Sequence, residues 1–313
     1  MYKISIIFLL RKYVGIWICH LAGGYSMDFI DLHVHSNASD GTLSPEETVA
    51  LAKEKKLSAI ALTDHDTTAG IQEACRAGAR LGIEVVPGIE VSSNYNGTEI
   101  HILGLFVDPQ QDALIQMLSS MRERRQQRNQ EMLRRFAADG IVLTKEELCG
   151  SNPDTVITRA HVAKAILNRG LGSSMDQIFK RYLTLGGPYC PPKEFLSPEE
   201  VVTTLLSCNA FVALAHPFLY KLGDKAAFQL ISYLTGLGMQ GLEVYHSSNN
   251  QLESMKLQKM AADCHLLPTG GSDFHGANKP NISMGTGRGG LKVSSLLLDA
   301  IKEYRKNQIF YEK

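Results

Sequence analysis

Short apolar runs alternate with amphipathic stretches along most of this 313-residue chain. The apolar runs predict β-strands, and they lie at residues 29–33, 59–63, 84–90, 99–106, 211–215, 241–245 and 267–270. Two helix starts share one pattern, in which Ser44 and Ser197 each precede Pro-Glu-Glu. Serine can cap the first turn, proline suits its first position, and the second glutamate completes a capping box. Strands that alternate with helices in this way predict an α/β fold with a parallel sheet or barrel.

The stretch from residue 109 to residue 192 has a different pattern. It contains a long polar helix rich in Arg and Gln at 122–135, further helical periodicity, and no convincing strand. The strand signal returns at residue 211. We therefore interpret 27–108 and 193–313 as two parts of one barrel domain, interrupted by a helical insertion at 109–192. The tail, 294–313, is amphipathic and predicts a helix that packs on the outside of the barrel.

The first 26 residues hold two apolar runs, 4–10 and 13–21, separated by Arg11 and Lys12. Neither run approaches the roughly 18 apolar residues that a membrane-spanning helix needs, and charges in the middle are atypical of a signal peptide. A strand-like sequence begins directly after Met27. We expect residues 1–26 to be a non-native or disordered leader upstream of a functional start at Met27.

Charge and cysteine content narrow the class of protein. Lys plus Arg equals Asp plus Glu at 32 each, so no net charge attracts nucleic acid, although a local basic groove is compatible with this balance. The six cysteines contain no CxxC pair, which favours reduced thiols over a disulfide framework or a zinc knuckle. These observations predict a cytoplasmic protein with no membrane contact and no obligate protein partner.

The strongest chemical signal is His33-Val34-His35, within the first predicted strand. Alternate residues of a strand face the same side, about 7 Å apart along it, so the two imidazoles can share a metal ion. Asp40 follows in a polar loop, at the carboxyl end of the strand, where α/β folds place their active sites. An isolated HxH pair also occurs by chance or as core histidines, so its neighbours decide the interpretation.

Ligand-type side chains recur at the ends of other predicted strands, and they are Asp64, His65, Asp66, Glu90, His101, His216, Asp273 and His275. Each has an ordinary structural explanation: an aspartate can cap a helix, Glu90 can be a surface charge, and His216 can be a turn residue before proline. Coincidence at six strand ends is much harder to defend. Nitrogen and oxygen ligands without cysteine suit manganese, iron or zinc, and bridging carboxylates imply more than one ion.

These residues form blocks in the order typical of the PHP (polymerase and histidinol phosphatase) family, which the chain resembles from Met27 to Gly290. The blocks are His33-Val34-His35 with Asp40, Thr63-Asp64-His65-Asp66, Glu90 with His101, Ala215-His216-Pro217 and Ser272-Asp273-Phe274-His275. The resemblance implies a distorted (β/α)7 barrel with a trinuclear metal centre at its carboxyl-terminal mouth. It also implies three ligand sets: His33, His35, Glu90 and Asp273; Glu90, His101 and His216; and Asp40, His65 and His275.

Stand-alone family members with a Thr-Arg-Ala-His block in a helical insertion are the nearest likeness, and here that block is Thr158-Arg159-Ala160-His161. This likeness implies a metal-dependent phosphoesterase that acts as a 3′,5′-nucleoside bisphosphate phosphatase, a 5′-3′ exonuclease on short RNA, or both. The implied nucleophile is a metal-bridged hydroxide, and the implied cofactors are two or three divalent metal ions, manganese first, with iron or zinc as alternatives. The implied substrate is a nucleotide or a short 5′-phosphorylated oligonucleotide.

Substrate contacts are expected from Arg159, Arg134 and Arg135 in the insertion and from His246 at the barrel rim, with Asp64 and Asp66 supporting the metal ligands. Arg134 and Arg135 also fit a solvated helix face. Gly186-Gly187-Pro188 departs from close relatives, which often carry a basic residue before this proline, and this puts a phosphate contact there in doubt. Two other functions stay open: a histidinol-phosphatase-like enzyme acting on a small metabolite, and a non-catalytic metal-binding accessory module for nucleic acid.

Overall fold

The computed structural model describes residues 28–149, 157–184 and 186–311. The predicted leader at 1–26 lies outside the described residues. The described chain forms two compact units. One comprises the residues as far as Met117 together with those from Leu196 onward, and the other is Leu118–Phe195. The second unit thus begins and ends somewhat later in the chain than the predicted helical insertion, 109–192.

The first unit is built on one eight-stranded sheet. Its strands, in chain order, are β1 (Phe29–Val34), β2 (Leu57–Leu62), β3 (Glu84–Tyr95), β4 (Thr98–Leu105), β5 (Phe211–Leu214), β6 (Gly241–His246), β7 (Leu267–Gly271) and β8 (Val293–Ser294). They lie in the order β7-β6-β5-β4-β3-β2-β1-β8. A parallel bridge between Val34 and Phe274 joins β1 to the segment after β7, so the sheet is a nearly closed barrel. The predicted α/β barrel is confirmed, and the two-residue β8 adds to the seven predicted strands.

Strand direction explains which strand ends meet. The strands β1 to β3 are parallel to one another, as are β5 to β7, but β4 runs antiparallel to both β3 and β5, and the two-residue β8 runs antiparallel to β1. Within the hairpin of β3 and β4, Ser92 pairs with His101. The start of β4 therefore lies beside the end of β3, at the rim where the parallel strands also end, and enzymes of barrel type build their sites at that rim.

Ten α-helices occur in the described residues: α1 (Pro45–Glu54), α2 (Ile71–Leu81), α3 (Asp112–Ala138), α4 (Lys145–Cys149), α5 (Arg159–Asn168), α6 (Met175–Tyr182), α7 (Pro198–Ser207), α8 (Asp224–Gly236), α9 (Gln251–Asp263) and α10 (Ser295–Tyr311). Two short 3-10 helices, Pro217–Tyr220 and Gly276–Asn278, follow β5 and β7. None of the described helices is both long enough and apolar enough to cross a membrane.

Apolar packing holds the first unit together. Strand residues such as Ile30, Ala59 and Phe211 form a buried cluster that also contains Leu298 and Tyr304 of α10. The Tyr304 ring meets the Phe211 ring edge-on, with centroids 6.2 Å apart. The predicted amphipathic tail helix therefore exists and contributes its apolar side to this core.

The second unit has its own helical core. Met132 and Phe136 of α3 pack with Val162 and Ile166 of α5 and with Tyr182 at the end of α6. Its described part, 118–149, 157–184 and 186–195, contains helices and loops without a strand. Helices packed around one apolar centre are a stable arrangement for a short segment of this kind.

Both predicted capping boxes are present. Ser44 accepts a hydrogen bond from the Glu47 amide (3.1 Å), and the Ser44 amide donates to the Glu47 carboxylate (2.7 Å). The same pair of bonds joins Ser197 and Glu200, at 3.2 and 2.7 Å. Each box satisfies amides that the first helical turn leaves without a partner.

We expect Ser44→Ala to lower the free energy of unfolding by about 1 kcal/mol, because the Glu47 amide loses its acceptor. Ser44→Asp keeps an acceptor at the same position and should unfold close to wild type. Urea unfolding followed by circular dichroism measures both variants. Equal loss in the two variants would show that the acceptor is not what stabilises α1.

Candidate metal centre

Strand ends bring the nine predicted ligands to one rim of the first unit. His33 lies in β1, Glu90 in β3 and His101 in β4. The other six lie in the segments that follow strands: His35 and Asp40 after β1, His65 after β2, His216 after β5, and Asp273 and His275 after β7. A bridge between His65 and Glu90 extends the pairing of β2 and β3 to this rim.

The Glu90 carboxylate lies at the centre of these residues, and it is fully buried. Its Oε2 atom is 3.2 Å from each of three imidazole nitrogens, His33 Nε2, His35 Nε2 and His65 Nδ1. One carboxylate oxygen thus faces three imidazoles from two separate parts of the chain, the end of β1 and the segment after β2.

The second oxygen of Glu90 faces a different pair of histidines. Glu90 Oε1 is 2.9 Å from His101 Nδ1 and 2.8 Å from His216 Nε2. The two imidazole nitrogens are 3.3 Å apart. Glu90 therefore has the geometry of a carboxylate that can bridge two cation positions.

Two aspartates complete the group of side chains. Asp273 Oδ1 is 3.6 Å from His33 Nε2 and 3.4 Å from His35 Nε2. Asp40 Oδ1 is 3.2 Å from His275 Nε2, and Asp40 Oδ2 is 4.0 Å from His65 Nε2.

Three overlapping groups have ligand atoms within 4.8 Å of one another: His33, His35, Glu90 and Asp273; His35, Asp40, His65 and His275; and His65, Glu90 and His101. The first group has the same members as one predicted ligand set. The other two differ from the predicted sets by including His35 and His65, and His216 reaches the third through Glu90 and His101.

Several ligand-type atoms are buried without a hydrogen-bond partner among the described residues. They are His33 Nε2, both nitrogens of His35, His65 Nδ1, Glu90 Oε2, His216 Nδ1, His246 Nε2, Asp273 Oδ1 and His275 Nε2. Buried polar atoms are nearly always paired in folded proteins, so a cluster of unpaired ones needs a specific explanation. Bound divalent cations would satisfy these nitrogen and oxygen donors together, and the donor set fits them.

The two central carboxylates are ionised. Burial alone would raise the pKa of Glu90, but its electrostatic interactions with the imidazoles of His65, His33 and His101 hold it well below its usual range. Burial would likewise raise the pKa of Asp273, and the nearby imidazoles of His246 and His35 keep it well below its usual range. Two buried anions in a ring of imidazoles make the centre strongly attractive to cations.

Glu243, in β6, was not among the predicted site residues. It is fully buried, and its Oε1 atom is 3.0 Å from His33 Nδ1. Its Oε2 atom accepts a hydrogen bond of 2.6 Å from the His216 amide. An acceptor at Nδ1 leaves Nε2 of His33 directed at the centre, which is how outer carboxylates orient metal-binding histidines. An acidic residue inside the apolar strand sequence Gly-Leu-Glu-Val-Tyr was the available signal.

Asp31, in β1, is a second buried acid that the sequence analysis missed. Its Oδ1 atom accepts from the amides of Ser272 (2.8 Å) and His33 (3.2 Å). Its Oδ2 atom accepts from the Gly285 amide at 2.7 Å. Asp31 thereby joins β1 to the chain that carries Asp273.

Asp64 and Asp66 lie beside the centre, where they hold loops. Asp64 accepts from the Ser36 amide (2.8 Å), the Ser36 hydroxyl (2.7 Å) and the Ser39 hydroxyl (2.6 Å). Asp66 accepts from the Ser92 amide at 2.9 Å. The first set of bonds orders the loop that leads to Asp40.

His246 and the predicted arginines occupy separate environments. His246 Nε2 is 3.7 Å from Asp273 Oδ2, at the edge of the centre. In the second unit, Arg134 and Arg135 each contact Glu131 at 2.7 Å along the helix, and Arg135 also donates to the Pro188 carbonyl at 3.1 Å. Arg159 donates to the Leu183 carbonyl at 3.3 Å, and its guanidinium lies 5.8 Å from the Phe179 ring centroid. A substrate contact by these arginines stays a prediction.

Sequence comparison assigns the chain to a family. Residues 31–189, just over half of the chain, match the PHP domain. The chain belongs to the PHP domain family.

Relatives and a solved structure agree with this assignment. The chain is 36% identical over 260 residues to a 3′,5′-nucleoside bisphosphate phosphatase from Chromobacterium violaceum, covering 82% of this chain and 90% of that protein. It is 33% identical over 252 residues to the 5′-3′ exoribonuclease Rnm of Escherichia coli, covering 78% and 84%. A crystal structure from Bifidobacterium adolescentis, described as a metal-dependent phosphoesterase, matches with a TM-score of 0.72 and 29% identity, covering 88% and 95%. The predicted enzyme class, a phosphoric ester hydrolase, is confirmed.

We expect Glu243→Gln to weaken binding of Mn²⁺ by about 10- to 100-fold. Glutamine offers one acceptor oxygen where His33 Nδ1 and the His216 amide need two. Calorimetric titration with Mn²⁺ measures the affinity. Glu84→Gln is the matched control, because Glu84 is a partly exposed carboxylate that pairs with Lys302 outside the centre. An affinity in Glu243→Gln equal to that of the control would contradict an orienting role for Glu243.

Proposed function

We propose that this protein hydrolyses phosphate esters of nucleotides, as a 3′,5′-nucleoside bisphosphate phosphatase, a 5′-3′ exonuclease on short RNA, or both. The observation that carries the proposal is the convergence of eight ligand-type side chains around a ninth, the buried Glu90 carboxylate. Relatives named for these two activities, at 36% and 33% identity, support the choice of nucleotide substrates.

The centre is proposed to hold two or three divalent metal ions, with manganese first and iron or zinc as alternatives. Bound cations supply Lewis acidity and a water molecule whose pKa is lowered to about 7. His33, His35, Glu90 and Asp273 would form one set of ligands. The second and third sets are Glu90 with His101 and His216, and Asp40 with His65 and His275.

A pocket of about 290 Å³ opens on this centre, and its described lining offers no free hydroxyl or thiol as a nucleophile. Its described lining is His65, Glu99, His101, His216, Leu219, Tyr220, Asp273 and Lys279, without serine, threonine or cysteine. The Tyr220 hydroxyl is occupied, because it accepts from the His101 amide and donates to the Ala215 carbonyl, both at 2.8 Å. Burial also raises the pKa of Tyr220 well above its usual range. Because the histidines and Asp273 are proposed to face the cations, we propose direct attack by water, with no protein nucleophile.

Purified protein supplied with Mn²⁺ should release phosphate from a nucleoside 3′,5′-bisphosphate or mononucleotides from a short 5′-phosphorylated RNA. Histidinol phosphate should be a poor substrate. Initial rates on the three substrates measure the preference, and Glu90→Gln should lose about 100-fold or more in each, because the shared central anion is removed. Fastest turnover of histidinol phosphate would favour the small-metabolite alternative. Binding of RNA without turnover would favour an accessory module.

We expect Arg159→Ala to raise KM for the bisphosphate with little change on a simple aryl phosphate. The reason is that a guanidinium would bind the second phosphate bidentately, and the aryl phosphate has none. Arg181→Ala is the matched control in the same unit, since Arg181 also lies over an aromatic ring, 4.9 Å from the Tyr182 centroid. Equal effects of Arg159→Ala on both substrates would contradict this role.

A further inference from the structure

Lys279 contacts one of the candidate metal ligands, Asp273. Its Nζ atom is 2.6 Å from Asp273 Oδ2, while the other oxygen of Asp273 faces His33 and His35 at 3.6 and 3.4 Å. The lysine side chain is 37% exposed, and Asp273 is 4% exposed. One carboxylate thus links the imidazole cluster to an ammonium group that reaches solvent.

Lys279 is the only lysine or arginine among the described residues that line the 290 Å³ pocket. The other charged lining residues are the acids Glu99 and Asp273 and the histidines. A phosphate ester entering this pocket brings negative charge into a wall that already contains two carboxylates. An ammonium group in the wall would offset that repulsion and donate hydrogen bonds to the phosphoryl oxygens.

The backbone that carries Lys279 is anchored to the loop of Asp40. The Asn278 side-chain amide donates to the Asp40 carbonyl (2.7 Å), and the Ala277 amide donates to the Thr42 hydroxyl (2.9 Å). Gly276 begins this turn at a φ of +63°, and a Cβ atom there would collide with the Thr42 hydroxyl. The main chain of Lys279 is therefore held in place, while its four-carbon side chain can move its charge over a short distance.

We propose that Lys279 is a further catalytic residue, whose ammonium group donates a hydrogen bond to an oxygen of the phosphoryl group being transferred. This inference rests on the proposed phosphoesterase function. The direct contact with Asp273 places the ammonium beside the candidate metal centre, whereas Arg159 is proposed to bind a second phosphate. Lys279 should therefore matter for every phosphate ester, including those with a single phosphate.

Three variants test the assignment. Lys279→Met keeps the length of the side chain without its charge, and Lys279→Arg restores a cation. Lys302→Met is the matched control, because Lys302 also contacts a carboxylate, Glu84, at 2.7 Å and is 33% exposed. Calorimetry with inorganic phosphate on the Mn²⁺-loaded proteins gives a readout that does not depend on turnover. Steady-state rates on an aryl phosphate and on a nucleoside 3′,5′-bisphosphate give the second readout.

Lys279→Met should bind inorganic phosphate about tenfold or more weakly, as expected for the loss of a charge-assisted hydrogen bond. Its kcat/KM should fall about 100-fold on both substrates, the order seen when one donor to a developing charge is removed. Lys279→Arg should recover part of both losses, and Lys302→Met should match wild type.

Two results would overturn the assignment. If phosphate affinity and kcat/KM stay at wild-type values while Mn²⁺ affinity or thermal stability changes, Lys279 is only a counter-ion of Asp273. If the loss appears with the bisphosphate alone, Lys279 binds the remote phosphate. Absence of turnover in wild type would instead contradict the proposed function, and the inorganic phosphate titration would still decide the role of Lys279.

Discussion

Burial of the Glu90 carboxylate among imidazoles is the interaction on which the rest of the first unit depends. An ionised group without solvent is costly unless opposite charges and donors surround it. The imidazoles of His33, His35, His65, His101 and His216 surround Glu90, with nitrogens 2.8 to 3.2 Å from its oxygens. These residues come from four different strands and the segments that follow them, so the carboxylate is stabilised only when the barrel is nearly complete.

The antiparallel hairpin of β3 and β4 brings the beginning of a strand, β4, to the rim where the parallel strands end. A parallel strand can offer the rim only its carboxyl end, but β4 offers its beginning. His101 is therefore paired across the hairpin with Ser92 and lies close to Glu90 of the neighbouring strand. Two ligand-type residues separated by 11 positions in sequence thus meet through local pairing, without any long connection.

The sequence was most informative where chemistry and strand periodicity coincide. The HxH spacing of His33 and His35, and the acids and histidines at later strand ends, were enough to predict which side chains converge. Glu243 was harder to identify because its partner His33 is 210 positions away, and burial of an acid is not visible in one strand sequence. Lys279 could not be distinguished by sequence from an ordinary lysine in a loop. Strand β8 has only two residues, too few to produce a periodic pattern.

The hydrogen bonds of Asp31 restrict the order in which the chain can fold during synthesis. Its carboxylate oxygens accept hydrogen bonds from the amides of Ser272 and Gly285, which are 241 and 254 positions further along the chain. During synthesis the first strand therefore leaves the ribosome long before the residues that close the ring around it exist. Contacts of such large sequence separation slow folding and leave strand edges exposed in the meantime. The rim that carries the candidate ligands can therefore be completed only after the chain has been made as far as Gly285, although His33 and His35 are made some 250 residues earlier.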